Sequence, residues 1–285
     1  MRIRVNEKHL WFDVDGPGLV PESDRMVSKP TVVLLHGGPG SFGHSYFKPE
    51  FAELITVAQV VYLDLRDHGR SDWGDPNDWS FEIAADDVAA FCDELGITRP
   101  IVLGHSIGGV VAIMYASRHP TQPAGLILQS TFARFDLEWV VERFREIGGD
   151  EIADIARREY GGDRDVTTEE WARCWKVFGP WVPGQQELAR IPRNERFNTL
   201  WGPRLKDIDV LEEMGSIVCP TFISVREIDP IHPVQSAREA QAAILAAPVQ
   251  IDVVPDAGAF PWRDAPDHYW PALREFISRV SAEHG

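Results

Sequence analysis

Ser106 is the residue whose setting most directly suggests chemistry. It stands in Gly104-His105-Ser106-Ile107-Gly108, a G-x-S-x-G pattern, with the apolar run Ile101-Val102-Leu103 before it and Val110-Val111-Ala112-Ile113 after it. This spacing predicts a strand, a tight turn and a helix. The glycines let the two backbones approach, and the serine hydroxyl is lifted to the helix N-terminus, where free N–H groups favour developing negative charge. Such a serine can attack a carbonyl. A glycine-rich turn whose serine merely caps the helix has the same pentapeptide.

The surrounding elements decide how the turn is used. Thr31–Leu35 and Gln59–Leu63 are continuous apolar runs, typical of strands buried on both faces. Phe81, Ala84, Ala85, Val88, Phe91, Cys92 and Leu95 recur at helical spacing, and Gly96 ends that helix. A further strand is expected at Gly125–Gln129. Alternation of strands and helices predicts a parallel sheet with helices on both faces. Arg2–Val5 and Leu10–Val14 predict an edge hairpin, and residues 16–30 a loop. From Thr131 to Ser216 the strand pattern stops, and helical segments are expected near Leu137–Ile147, Glu151–Tyr160, Thr168–Val177 and Pro203–Met214. Five of the ten tryptophans fall here. Trp171, Trp175 and Trp181 suit an aromatic pocket roof, or equally a small helical core. Strands resume at Pro220–Val225 and Gln250–Val254, and Asp267–Val280 closes the chain as a helix. The expected organisation is one α/β core over 1–130 and 217–285, with a helical insertion over 131–216.

The chain has 285 residues, 44% of them hydrophobic, enough for one large core and an insertion. A net charge of −16 argues against nucleic acid and anionic membrane surfaces as partners. Cys92, Cys174 and Cys219 suit neither a disulfide framework nor a zinc site. No secretory leader or membrane-spanning run is apparent, so a cytoplasmic protein, monomeric or homodimeric, is expected. No metal and no cofactor is called for, and the expected partner is a small-molecule substrate.

Five motifs together resemble the α/β-hydrolase fold, and within it the proline-iminopeptidase-like serine hydrolases. They are His36-Gly37-Gly38-Pro39-Gly40, Asp64-Leu65-Arg66-Asp67-His68-Gly69-Arg70-Ser71, Gly104–Gly109, Asp229-Pro230 and Ala257-Gly258-Ala259-Phe260-Pro261. The resemblance implies a mostly parallel eight-stranded sheet with an inserted cap, and hydrolysis of an ester, amide or lactone through an acyl-serine. Ser106 is then the nucleophile. The N–H groups of Ile107 and Gly38 form the oxyanion hole. Asp229 is the triad acid, with Glu227 a weaker substitute, and His36 braces the oxyanion loop at the pocket. True proline iminopeptidases usually carry a different residue before the serine, so the substrate stays open.

The resemblance also exposes a gap. The family motif reads Gly-His-Phe-Pro where this chain has Gly258-Ala259-Phe260-Pro261. Alanine cannot take a proton, and losing a triad base can cost on the order of a millionfold in turnover. Three accounts remain open. The first is a deliberate exchange of histidine for alanine that impairs or repurposes a hydrolase. The second is a relocated base, for which His232, three residues past Asp229, is the candidate; Arg226 is a second departure in the same loop. The third is a non-catalytic relative that binds a ligand. His44 and His268 are weaker candidates. A rival of another class exists: Gly38-Pro39-Gly40-Ser41-Phe42-Gly43 matches G-x-G-x-x-G, and Asp64 follows at the spacing a nicotinamide-dependent oxidoreductase would use.

Overall fold

The computed structural model describes residues 1–162, 165–179, 191–227 and 229–283. Its centre is an eight-stranded sheet built from β1 (Arg2–Val5), β2 (Lys8–Asp15), β5 (Thr31–Leu35), β6 (Gln59–Leu63), β7 (Ile101–His105), β8 (Gly125–Gln129), β9 (Thr221–Arg226) and β10 (Val249–Val254). The spatial order is β1-β2-β6-β5-β7-β8-β9-β10. β1 and β2 form the edge hairpin, and all pairings from β6 onward are parallel. This is the α/β-hydrolase fold.

The apolar strands serve two cores at once. Val33, Leu35, Val61, Leu63 and Val102 enter one cluster with Phe91 and Cys92 of α1 (Phe81–Glu94) and Val110 and Ile113 of α2 (Ile107–Arg118). Val32, Leu34, Val60, Tyr62, Ile101 and Leu103 enter the other with Phe47, Phe51, Trp262 and, from the closing helix Pro266–Ala282, Tyr269, Leu273 and Phe276. A strand buried on both faces has no polar face to show, so its sequence reads as an unbroken apolar run.

Two expectations need correction. Residues 16–30 are not a plain loop. They hold a separate hairpin, β3 (Leu19–Glu22) with β4 (Arg25–Ser28), turned at Ser23 with φ 57°. Its strands are short and exposed, so burial never imposed a period on the sequence. The expected helix at Pro203–Met214 is broken into a 3-10 segment, Gly202–Asp207, and a single turn, Leu211–Met214, with a further helix at Glu195–Trp201 before them. Asn194 starts that helix by accepting from Phe197 N, while Pro203 cannot donate inside one.

Between β8 and β9, α3 (Leu137–Gly148), α4 (Asp150–Gly161) and α5 (Thr168–Cys174) follow in order, and no sheet strand occurs there among the described residues. The segment sits over the C-terminal ends of the strands. Asn194 N and Asn198 Nδ2 donate to Gly40 O and Pro39 O at 2.9 and 2.8 Å, and Asn194 Nδ2 donates to Asp67 O at 2.9 Å. At the other side Ala259 N donates to Phe178 O at 2.5 Å.

Candidate active site

The site begins where β7 becomes α2. Ser106 has φ 53° and ψ −124°, a sparsely populated conformation that costs of order 1–3 kcal/mol for a non-glycine residue. Its backbone is fixed all round. Ser106 N donates to Gln129 O and Ser130 O, and Ser106 O accepts from Gly109 N at 2.8 Å and Thr131 Oγ1 at 2.6 Å. The two motif glycines are demanded by space. A Cβ on Gly104 would run into Gly108 O, and a Cβ on Gly108 into the carbonyls of Leu35 and His36.

The loop after β5 passes over this serine. A Cβ on Gly37 would lie 3.4 Å from Ser106 Cβ, and one on Gly38 3.2 Å from Ile107 Cγ2. The loop is braced from behind by His36, which is fully buried. Its Nδ1–H donates to Gly37 O at 2.6 Å and its Nε2 accepts from Leu65 N at 3.2 Å, so both ring nitrogens are spent on backbone. Burial keeps this imidazole neutral by pulling its pKa down. His68, missed in the sequence, stands beside Gly38: its Nε2 would be 3.0 Å from a Cβ there. Its Nδ1 pairs with Arg66 O at 2.8 Å, and Phe197 packs against its ring.

Asp64 is buried and occupied. It accepts from His44 N and Arg70 N at 2.5 and 2.8 Å, and the His44 imidazole stands 2.9 Å away. The carboxylate that a dinucleotide ribose would need is therefore spent on the turn that follows β6, which corrects the nicotinamide reading. His44 opens the 3-10 helix His44–Phe47. His268 pairs with Asp252 at 2.8 Å, partly exposed.

Beyond β9, Asp229 is a hub. Arg226 reaches Asp229 Oδ2 through Nε at 2.6 Å and Nη2 at 2.5 Å, while Ile231 N and His232 N donate to Oδ1 at 2.9 and 2.8 Å. His232 Nδ1 lies 3.2 Å from both carboxylate oxygens. Burial alone would raise the Asp229 pKa, but the Arg226 guanidinium and His232 outweigh it and hold the carboxyl well below the usual range. Phe132 stacks on the His232 ring at 5.5 Å and 10°.

Ala259 lies at the end of the next loop. Its amide goes to Phe178 O, which also accepts from Arg226 Nη1 at 3.3 Å. His105, next to the serine, bonds the Ala259 backbone and has Tyr46 Oη 2.9 Å from its Nδ1. Burial, then the charges of His232 and Arg226, push its pKa down to about 3. Glu227 follows Arg226 and donates N–H to Val254 O. Trp171 packs among Phe144, Tyr160 and Phe178, and Trp175 against Phe178. Trp181 lies outside the described residues. No cluster of three metal-ligating side chains occurs among the described residues, and no helix there is long and apolar enough to cross a membrane.

Comparison with known proteins gives the same fold. A family model described as alpha/beta hydrolase fold matches residues 30–152. A proline iminopeptidase of Heyndrickxia coagulans is 24% identical over 269 residues, covering 87% of this chain and 91% of the relative. The crystal structure of VinJ superposes with a TM-score of 0.80 at 21% identity, covering 98% of both chains. The enol-lactonase from Burkholderia xenovorans gives 0.68 at 22%, covering 98% of this chain and 100% of that one. The order of the strands, the strained serine turn and these likenesses identify the chain as an alpha/beta-hydrolase-fold protein whose relatives are hydrolytic enzymes.

Proposed function

We propose that this protein hydrolyses an ester, amide or lactone through an acyl-serine at Ser106. The observation that carries the reading is the strained Ser106 turn, with the Gly37–Gly38 loop directly over it. A non-glycine residue held at positive φ between two sterically required glycines has a structural cost, and presenting the hydroxyl at a helix N-terminus explains it. Attack by Oγ on the carbonyl carbon forms the Oγ–C bond and pushes an electron pair onto the carbonyl oxygen, while the Oγ–H bond breaks and its proton passes through water to the departing group. Ile107 N–H and Gly38 N–H receive that charge. Collapse breaks the bond to the leaving group, and water then releases the acid from Ser106.

The relatives support the reaction class by what they are called, a proline iminopeptidase and an enol-lactonase. Residues 131–216 act as the cap, and its aromatic side chains favour small apolar acyl groups. Asp229 serves as the acid, and Ala259 leaves the usual base position without an imidazole. The test is covalent labelling. A fluorophosphonate is expected to add one adduct per chain by intact-protein mass, mapped to Ser106 and absent from Ser106→Ala. A parent protein that takes no adduct at Ser106 on prolonged exposure refutes the reading.

A further inference from the structure

The loop that carries the Gly38 amide is held from two sides, and only one of them belongs to the sheet. On the core side His36, fully buried, donates Nδ1–H to Gly37 O at 2.6 Å. Gly37 O and Gly38 N–H belong to one planar trans peptide and point in opposite directions. Pinning the carbonyl therefore pins the line along which the amide points, provided the rest of the loop stays in place.

The rest of the loop is held by the segment between β8 and β9. Asn198 Nδ2 donates to Pro39 O at 2.8 Å and to Ser41 Oγ at 3.1 Å. A side-chain amide nitrogen carries two hydrogens, so one residue supplies both bonds. Ser41 Oγ itself donates to Pro39 O at 3.2 Å, which closes a ring of three residues. One turn earlier in the helix, Asn194 N donates to Gly40 O at 2.9 Å. The helix backbone comes so near that a Cβ on Gly40 would lie 2.6 Å from Asn194 O and 3.0 Å from Asn198 N. Gly40 also has φ 67°, so both its conformation and this approach depend on its having no side chain.

Helix formation does not call for Asn198. Asparagine is among the poorer residues for a helix interior, and position 198 is the middle of the seven-residue helix Glu195–Trp201. Its side chain goes to the loop backbone instead. Gly38 then stands between two holds, the Gly37–Gly38 peptide fixed by His36 and the Pro39–Gly40 peptide fixed by Asn198. There is little slack between them. A Cβ on Gly38 would lie 3.2 Å from Ile107 Cγ2 and 3.3 Å from Gly40 N. A displaced Gly40 is therefore felt at Gly38.

We propose that Asn198 is a positioning residue for the reaction at Ser106: from the inserted helix it fixes the Pro39–Ser41 end of the loop, and with it the aim of Gly38 N–H at the developing oxyanion. The inference rests on the acyl-serine reading. Asn198 touches no reacting atom. It acts through the backbone of the loop, and its effect is largest when charge has moved onto the substrate oxygen, because only then is the direction of the amide donor decisive. Its loss slows bond formation at Ser106 and leaves the binding of the reagent or substrate nearly as it was.

The experiment follows fluorophosphonate labelling of Ser106 by intact-protein mass over a range of reagent concentrations. The maximal rate of adduct formation is thereby separated from the concentration that half-saturates it. The parent is compared with Asn198→Ala, Asn198→Asp and Trp201→Phe. Asn198→Asp keeps the size of the side chain and loses both donated hydrogens. Trp201→Phe is the control for the helix as a whole, since Trp201 Nε1 donates to Pro76 O at 2.9 Å and that bond does not involve the loop. The maximal rate is expected to fall by roughly tenfold or more in both Asn198 variants, against the roughly 10²–10³-fold that removal of an oxyanion donor costs. The half-saturating concentration is expected to change by less than about threefold, and Trp201→Phe to keep the parent's maximal rate within about threefold. The parent's maximal rate in either Asn198 variant, folded by urea unfolding, overturns the proposal. So does a loss carried by the half-saturating concentration, or an equal loss in Trp201→Phe, which would make the effect a general loosening of the insertion. In each of these cases the parent still labels and the acyl-serine reading stands. A parent that takes no label at Ser106 overturns that reading instead.

Discussion

Mild acid is expected to unfold this protein through two imidazoles that flank the site. His68 lies beside Gly38 and is fully buried, with Phe197 at 4.7 Å and His36 at 5.1 Å between ring centroids. Burial, then the neighbouring His36, pushes its pKa down to about 3. His105, the residue before Ser106, is also pushed down to about 3. In the unfolded chain both take a proton near pH 6.5, and in the folded chain both refuse it until near pH 3. The unfolded state therefore binds more protons throughout that window. The stability they protect is complete above pH 6.5 and is lost as pH falls toward 3. Each uncompensated proton costs roughly 1.4 kcal/mol per pH unit, so the pair removes about 2.7 kcal/mol per unit, a large share of an ordinary 5–15 kcal/mol. Asp229 and Asp64 do not offset this, because both carboxyls are held below the usual range and stay ionised. Urea unfolding followed by tryptophan fluorescence, at intervals from about pH 7 to pH 5, measures the slope. His68→Phe removes one of the two groups and is expected to make the slope shallower by roughly 1 kcal/mol per unit. An unfolding free energy that does not change over this range, or an unaltered slope in folded His68→Phe, refutes the reasoning.

Two further substitutions test the scaffold around the serine. Gly108→Ala drives a Cβ into the carbonyls of Leu35 and His36; a loss of about 3 kcal/mol or more in urea unfolding, with loss of Ser106 labelling, is expected, because backbone rather than a flexible side chain must yield. Asn194→Ala removes the cap of the Glu195–Trp201 helix and its bond to Asp67 O together; thermal unfolding is expected to show a cost of about 1–3 kcal/mol, with a raised KM as the segment loosens over the oxyanion loop.

What was legible in the sequence was local or periodic. The buried strands announce themselves because both of their faces enter a core, as Val32 and Val33 do in opposite clusters. The serine turn is legible because Gly104 and Gly108 leave no room for any side chain, so a short-range steric demand is written into the residue types. The β3–β4 hairpin was not legible, since its exposed strands carry no burial period. The helix Glu195–Trp201 had only Asn194 as a signal, and an asparagine caps turns and helices alike.

The site divides along the same line. By itself the sequence determined that Ser106 sits on a strand-to-helix turn, that a glycine-rich loop follows β5, and that residue 259 has no proton acceptor in its side chain. Each of these depends on a residue type or on neighbours along the chain. Only the tertiary structure decided which side chains share Asp229. Arg226 and His232 lie three residues to either side of it, a spacing that permits contact without requiring it, and the direction each side chain takes is set by burial. Phe178 O reaches Arg226 and Ala259 from residues 48 and 81 positions away. That carbonyl arrives because the helices between β8 and β9 pack over the strand ends, and no residue type near Ala259 could announce it. The orientation of His232 is likewise a property of its enclosure: the ring is ordinary in sequence, and only the folded chain sets Asp229 against its Nδ1 and Phe132 on its face.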